Sequence, residues 1–216
     1  MAQDPPTSLA AAGLMLASPQ SCTGSVYIAT SRDGFIATPD GGVGFLDKFQ
    51  ETLPGDGGFG EFVSSCQAMV MGRRTFETVA GMEGGPWPYG NMPVIVLTTG
   101  SNGEVIIPEH LVGKLEVRTV ANSGEGASAA DLAALLAELY EKHGARDVYV
   151  DGGSTIRAFL KAGLLGRVIV TKVPLDLGEG IPLFEAKHWA ALQEVNKKVF
   201  DNGAEQITYQ VSTGGA

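Results

Sequence analysis

The chain has 216 residues, 44% of them hydrophobic, and its formal net charge is −9 at neutral pH. This length suits one well-buried domain, and no apolar run approaches the roughly 20 residues of a membrane span. The acidic balance excludes a general nucleic-acid or anionic-membrane surface, since phosphate binding needs clustered cations. We therefore expect no nucleic-acid or membrane partner, and any anionic ligand must be held by a local site.

The two cysteines and the N-terminal residues bear on the cellular compartment of the protein. Cys22 and Cys66 have neither metal-ligand spacing nor a disulfide framework, which predicts no metal site and suits a reducing, cytoplasmic compartment. The early stretch LAAAGLMLA is apolar, but the only charge before it is that of Asp4, whereas targeting peptides carry positive charge. Residues 1–24 are therefore predicted to be a mobile extension, and residues 25–212 a single domain.

Predicted strands and helices alternate along this domain. Strands are predicted at 25–31, 68–72, 92–99, 147–151, 167–173, 192–200 and 204–212, and helices at 58–67, 74–82, 128–143 and 154–164. EVIIP and LEVRTV give no clear pattern. Alternation of this kind predicts an α/β fold with a mixed, mostly parallel central sheet, helices on both faces and a C-terminal antiparallel hairpin joined at DNGA.

The clearest helix follows Ser128. This serine is a natural N-cap, Asp131 lies three residues later, leucines recur at helical spacing, and Gly144 supplies a stop. The preceding GEGASA, at 124–129, nominally fits a dinucleotide-binding pattern. It does not directly follow a strand and lacks the expected acidic residue after it, so we interpret it as a loop.

The stretch GRRT places two arginines where a strand becomes a helix. Gly72, Arg73, Arg74 and Thr75 combine the unpaired N–H groups of a helix start with two guanidinium groups and a hydroxyl. Such a site binds phosphate well. The alternative is an arginine-rich helix start that pairs with surface carboxylates.

Two further strand ends carry similar chemistry. In VDGGST, Gly152 and Gly153 permit close approach of a ligand, and Ser154 and Thr155 open a helix, although an ordinary strand-to-helix turn needs the same residues. In VLTT, the hydroxyls at positions 98 and 99 suit the phosphate of an adenosine ribose. Ligands of open α/β sheets bind beyond the carboxyl ends of the strands, which favours one shared site.

The ordered motifs GRRTFET, VIVLTT and VDGGSTI, with the segment running on to GIPLF, resemble the dihydrofolate reductase fold. Specifically, they resemble the branch shared with the reductase domain of the bacterial riboflavin-biosynthesis deaminase-reductase. The resemblance runs from about Ser25 to Gln210. It implies NADPH as the cofactor, a small heterocyclic substrate and, as in related domains, a homodimer.

The resemblance also implies roles for residues around the cofactor. Arg73 with Thr98 or Thr99 would contact the 2′-phosphate, and the pyrophosphate would lie between the two helix starts. The backbone at two positions near TSRDGF would contact the carboxamide, and the glycine pair is where the family often has a cis peptide. The full predicted cofactor set is Ala29, Ile36, Gly72, Arg73, Arg74, Thr75, Leu97, Thr98, Thr99, Gly152, Gly153, Ser154, Thr155 and Ile156.

The substrate half departs from the folate enzyme. Asp47 is the nearest match to the carboxylate that anchors and helps to protonate the pterin, and Thr171 matches its supporting threonine, but the usual proline pattern around the acid is missing. Asp47 beside Lys48 also fits a solvated helix face. Arg157 replaces an aromatic or aliphatic residue, and it suits either a substrate phosphate or a surface helix position.

The favoured function is NADPH-dependent reduction of a C=N or C=O bond in a pterin-like or pyrimidine-like heterocycle, with TPDGGVG as a mobile flap. A non-catalytic dinucleotide-binding protein is the alternative from another class. The riboflavin-pathway reductase itself is less favoured, because no metal-ligand cluster of a deaminase precedes the domain. A separate deaminase polypeptide would remove that objection.

Overall fold

The computed structural model describes residues 22–50, 55–81, 87–100, 104–120 and 127–212. The predicted extension up to residue 21, and residues 124–126 of the GEGASA loop, lie outside the described residues. Thr23 and Gly24, assigned above to the extension, form the beginning of the first strand, where the amide of Gly24 donates to Leu164 O at 2.8 Å.

Ten strands and six α-helices build the described part of the domain. The strands are β1 Thr23–Ser31, β2 Phe35–Ala37, β3 Ala68–Gly72, β4 Val94–Thr98, β5 Leu115–Thr119, β6 Asp147–Asp151, β7 Leu165–Val173, β8 Ile181–Pro182, β9 Leu192–Val199 and β10 Glu205–Val211. The helices are α1 Asp47–Gln50, α2 Phe59–Ser65, α3 Arg73–Ala80, α4 Ala129–His143, α5 Gly153–Lys161 and α6 Ala186–Trp189.

Eight of the strands form one sheet in the order β5-β4-β3-β6-β1-β7-β10-β9. The pairs from β5 to β7 are parallel, and β10 runs antiparallel to both β7 and β9. The remaining strands, β2 and β8, pair with each other as a separate antiparallel ribbon. The predicted mixed, mostly parallel sheet with a C-terminal antiparallel hairpin is confirmed.

Helices cover both faces of the sheet and create two cores. One core joins α4 and α5 to the sheet and includes Leu132 and Phe159, and the other joins α2 and α3 and includes Phe62 and Phe76. Because central parallel strands are buried on both faces, they read as continuous apolar runs. The first four residues of β3 are accordingly all buried.

The termini of α4 follow the sequence prediction. The Ser128 side chain accepts a hydrogen bond from the Asp131 amide at 3.1 Å, and Gly144 adopts the left-handed conformation, with φ at +65°. By contrast, LEVRT, which shows no clear pattern in the sequence, is β5 at the parallel edge of the sheet. Its half-exposed residues lack the continuous apolar run of the central strands, so pairing with β4 determines this strand.

Within the described ranges, no helix is both long and apolar enough to cross a membrane. No group of three or more potential metal-ligating side chains occurs in that part of the chain either.

Candidate active site at the carboxyl edge of the sheet

Two strand-to-helix turns lie side by side at the centre of the sheet. β3 and β6 are parallel neighbours, and Met71 pairs with Asp151 at the end of their ladder. β3 continues into α3 and β6 into α5, so both helices begin at the same edge of the sheet. This edge is where open α/β sheets bind their ligands.

The two turns approach closely because glycine occupies both. A Cβ atom on Gly72 would lie 2.9 Å from Thr155 Oγ1, a separation that real Cβ contacts do not show. A Cβ atom on Gly152 would collide with Thr75 Oγ1 and lie 3.6 Å from the amide nitrogen of Gly72. Gly152 also has φ at +92°, a conformation that other residues rarely adopt.

The starts of α3 and α5 offer donors to an anion. Gly72 and Gly152 are the N-cap residues, and neither helix start has a side-chain cap in this described region. The first N–H groups of a helix have no intrahelical partner and carry a partial positive charge. Arg74 and Ser154 are exposed beside them, while the Thr75 side chain is half-buried and that of Thr155 is buried.

Arg73 is held against its own helix. Its Nε donates to Glu77 Oε1 at 2.6 Å, one turn along α3, and only 20% of its side chain is exposed. The guanidinium is therefore fixed close to the beginning of α3. A cation fixed there is suited to a phosphate group.

The end of β4 adjoins the end of β3, where Leu97 pairs with Gly72. Thr98 is buried, and its Oγ1 accepts a hydrogen bond from the Gly100 amide at 3.2 Å, while Thr99 is half-buried. The structure thus brings the three predicted strand ends together on adjacent strands. Leu97 and Ile156 are buried in the core, so a ligand can reach them only through their backbones.

The remaining predicted cofactor positions lie on β1 and β2. Ala29 is half-buried on β1 and pairs with Thr171 of β7. Ile36 packs over the beginning of α5, where its Cδ1 atom lies 2.5 Å from the position of a Cβ atom on Gly153. The peptide between Gly152 and Gly153 is trans, like every peptide bond in the described residues.

The two predicted catalytic residues have unlike surroundings. Asp47 is exposed at the first residue of α1. Thr171 is 4% exposed, and its Oγ1 accepts a hydrogen bond from Gln206 Nε2 at 3.1 Å. The same amide group of Gln206 contacts the Tyr27 hydroxyl, which in turn donates to Gly57 O at 2.9 Å.

Asp151 is a candidate site residue that the sequence prediction does not include. It ends β6 directly before the glycine pair, two residues beyond Tyr149 and hence on the same face of the sheet. Its Oδ1 accepts a hydrogen bond from the Gly152 amide at 2.7 Å. The sequence signal for it is an acidic residue at a strand end directly before two glycines, in VDGG.

Burial raises the pKa of Asp151 to about 6, although the hydrogen bond from the Gly152 amide favours the charged form. Burial, and after it the charge of Asp151, raises the pKa of Tyr89 and of Tyr149. The carboxyl group of Asp151 can therefore gain or lose a proton close to neutral pH.

Arg157, the remaining predicted substrate residue, faces the β2–β8 ribbon. Its Nη1 donates to Pro182 O at 2.9 Å and to Leu183 O at 3.2 Å. The guanidinium is half-buried, and burial lowers its pKa.

Comparison with known proteins agrees with this architecture. Residues 25–206 match the model of the RibD C-terminal domain. An uncharacterized Bacillus subtilis protein, YwjB, is 30% identical over 159 residues, which is 74% of this chain and 80% of that protein.

Among solved structures, a Shewanella sp. PV-4 protein provisionally assigned to riboflavin biosynthesis is 29% identical, with a TM-score of 0.71 over 88% of this chain and 99% of that one. Dihydrofolate reductase from Enterococcus faecalis, solved with NADP(H), has a TM-score of 0.52 at 18% identity, over 89% of this chain and 97% of that one. The latter likeness confirms the predicted fold. With the family model matching most of its length, the chain belongs to the RibD C-terminal domain family.

Proposed function

We propose that this protein is an NADPH-dependent reductase of a C=N or C=O bond in a small pterin-like or pyrimidine-like heterocycle. Its family and the reductases among its structural neighbours support a reductase-type enzyme. The observation that carries the finer proposal is the pair of facing turns at Gly72 and Gly152, where side-chain-free backbone and two helix starts form a cradle for a pyrophosphate.

The residues at this edge fit a phosphorylated dinucleotide. Arg73, with Thr98 or Thr99, would hold the 2′-phosphate, which favours NADPH over NADH. Arg74, Thr75, Ser154 and Thr155 would hold the pyrophosphate, and the backbones of Ala29 and Ile36 would orient the carboxamide. When bound there, the cofactor supplies the hydride.

The reduction also needs a proton, and two carboxyl groups among the described residues, those of Asp47 and Asp151, are candidates for its donor. Asp47 is exposed, and its role as a proton relay rests on the family resemblance alone. Asp151 lies beside the glycine pair, and the pKa of about 6 keeps part of its carboxyl group protonated near neutral pH. A general acid works best when its pKa lies near the operating pH, so we favour Asp151 as the donor.

Titration with NADPH and with NADH, followed by nicotinamide fluorescence, tests the cofactor assignment. We expect NADPH to bind more tightly, and we expect its oxidation to accelerate with at least one member of a panel of pterins and pyrimidinones. Binding without oxidation across the panel would favour the non-catalytic dinucleotide-binding protein. Failure to bind either nucleotide would refute both functions.

Two amide variants test the proton donor. Asp151→Asn should lower the single-turnover rate of NADPH oxidation by about 100-fold, the lower end of the usual contribution of a general acid, with cofactor affinity little changed. Asp47→Asn should retain most of that rate. The opposite ranking would restore Asp47 as the relay. The Thr171→Val and Thr171→Ser pair then measures what the threonine hydroxyl contributes.

A further inference from the structure

Arg157 bridges two parts of the proposed cofactor site that are distant in sequence. It lies four residues after Gly153, the first residue of α5, and its Nη1 is 3.1 Å from the position of a Cβ atom on that glycine. The same nitrogen donates to the carbonyls of Pro182 and Leu183, at the end of β8. The guanidinium thus joins the start of α5 to the β2–β8 ribbon.

The ribbon extends this connection to β2. Phe35 pairs with Pro182 and Ala37 with Ile181, and the Leu183 amide donates to Gly34 O at 3.0 Å. These two short strands have few hydrogen bonds of their own. Their position relative to α5 therefore depends on contacts from outside the ribbon.

Ile36 provides a second contact between the β2–β8 ribbon and the start of α5. It lies between the two residues of β2 that pair with β8, and its side chain packs over Gly153. A shift of the ribbon would move the Ile36 backbone, which the proposed function assigns to the cofactor carboxamide. It would leave the 2′-phosphate contacts at Arg73 and Thr98 in place, because those residues lie on α3 and β4.

We propose that Arg157 is a positioning residue that holds the β2–β8 ribbon on α5 and thereby fixes the nicotinamide end of the cofactor site. This inference rests on the proposed function. It assigns the arginine a different task from a substrate-phosphate anchor, because Nη1 is already bonded to two backbone carbonyls. Binding a phosphate through Nη1 would require those hydrogen bonds to be given up.

Arg157→Met removes the donors and keeps much of the apolar stem, whereas Arg157→Lys keeps a charged donor. The first measurement is amide hydrogen exchange on the protein without nucleotide. In Arg157→Met the Leu183 amide should exchange about tenfold faster, while amides of β1 and β6 stay protected. An unchanged Leu183 amide would overturn the proposal whether or not the protein binds a dinucleotide.

The second measurement compares NADPH with adenosine 2′,5′-bisphosphate, which lacks the nicotinamide. We expect Arg157→Met to weaken NADPH binding about tenfold, because the binding of the nicotinamide end must then order the loosened ribbon, and to leave the bisphosphate within about twofold. Arg157→Lys should recover most of the NADPH affinity. Equal losses for both ligands, or none for either, would overturn the proposal.

Arg167→Met is the matched control. Arg167 is also half-buried, but its Nη2 bonds to Asp147 at 3.1 Å, at the opposite end of β6. Arg167→Met should lower the free energy of unfolding, and it should change the affinities for NADPH and for the bisphosphate by the same factor. A raised substrate KM in Arg157→Met with unchanged NADPH affinity would instead identify a substrate anchor. If the wild type bound neither ligand, the proposed function would fail, and hydrogen exchange alone would report on the ribbon.

Discussion

Glu77 holds the guanidinium of Arg73 one turn along α3, with 2.6 Å between Nε and Oε1. The carboxylate holds the arginine side chain along α3, and it competes with any phosphate for the same cation. The energy of such a pair is small at a partly exposed position, so a bound phosphate can outweigh it.

The Arg73→Ala variant should therefore weaken NADPH binding by about 10- to 150-fold, the loss of a charge-assisted phosphate contact worth about 1.5 to 3 kcal/mol. NADH binding should change much less. Lys197→Ala is the control, since it removes the same charge from an ion pair with Glu205 on the β9–β10 hairpin. Fluorescence titration measures both, and equal losses for the two cofactors would contradict the assignment of Arg73.

Glu77→Gln should act in the opposite direction. It removes the competing charge while leaving the side-chain volume, so NADPH affinity should rise by about two- to fivefold. The same titration measures it. A large fall in NADPH affinity would mean that Glu77 helps binding more by orienting Arg73 than it hinders binding by competing for the guanidinium.

Gly152→Ala tests the close approach of the two turns. The substitution adds a Cβ atom at φ +92° and drives it into Thr75 Oγ1. Gly113→Ala is the matched control, because Gly113 has φ at +81° and nothing within 4 Å of its Cβ position. Both variants place an alanine at positive φ and bear the cost of that conformation. In denaturant unfolding, Gly152→Ala should therefore lose about 1 to 3 kcal/mol more unfolding free energy than the control. Equal losses would show that the turns have room for a side chain.

The Asp151 carboxyl should make stability depend on pH. Its pKa is raised from 3.8 to about 6 in the folded protein, so between these values the folded state binds more protons than the unfolded state. The free energy of unfolding should therefore fall as pH rises through this window, by an amount on the order of 3 kcal/mol. In Asp151→Asn, the free energy of unfolding should depend less on pH within this window. Urea unfolding at several pH values measures this dependence, and identical slopes of unfolding free energy against pH in both proteins would refute the raised pKa of Asp151.

Ser128→Ala should cost about 0.5 to 2 kcal/mol of unfolding free energy, because it removes the acceptor of the Asp131 amide at the start of α4. Ser64→Ala provides the comparison. The Ser64 hydroxyl donates to Gly60 O within α2, so its removal leaves no uncapped amide and should have little effect. Thermal unfolding distinguishes them, and a smaller loss at Ser128 would argue against the cap.

The predictions from sequence succeeded where local patterns decide the structure. The Ser128 side chain caps the start of α4, and the left-handed backbone of Gly144 ends it. The apolar runs of β3, β4 and β6 reflect burial on both faces of a parallel sheet. The glycines and hydroxyls at three strand ends indicated a shared ligand edge before any strand order was known. The roles given to Arg73 and the other site residues stay predictions.

Tertiary structure decided what depends on distant neighbours. LEVRT is a strand because β4 lies beside it, and the pKa of Asp151 is raised because the surrounding fold partly removes this residue from water. Arg157 looks like a helix-surface or phosphate-binding arginine in the sequence, yet its donors meet carbonyls 25 and 26 residues away. Burial and pairing across the chain determine the energies of these groups, and a linear pattern does not contain those contacts.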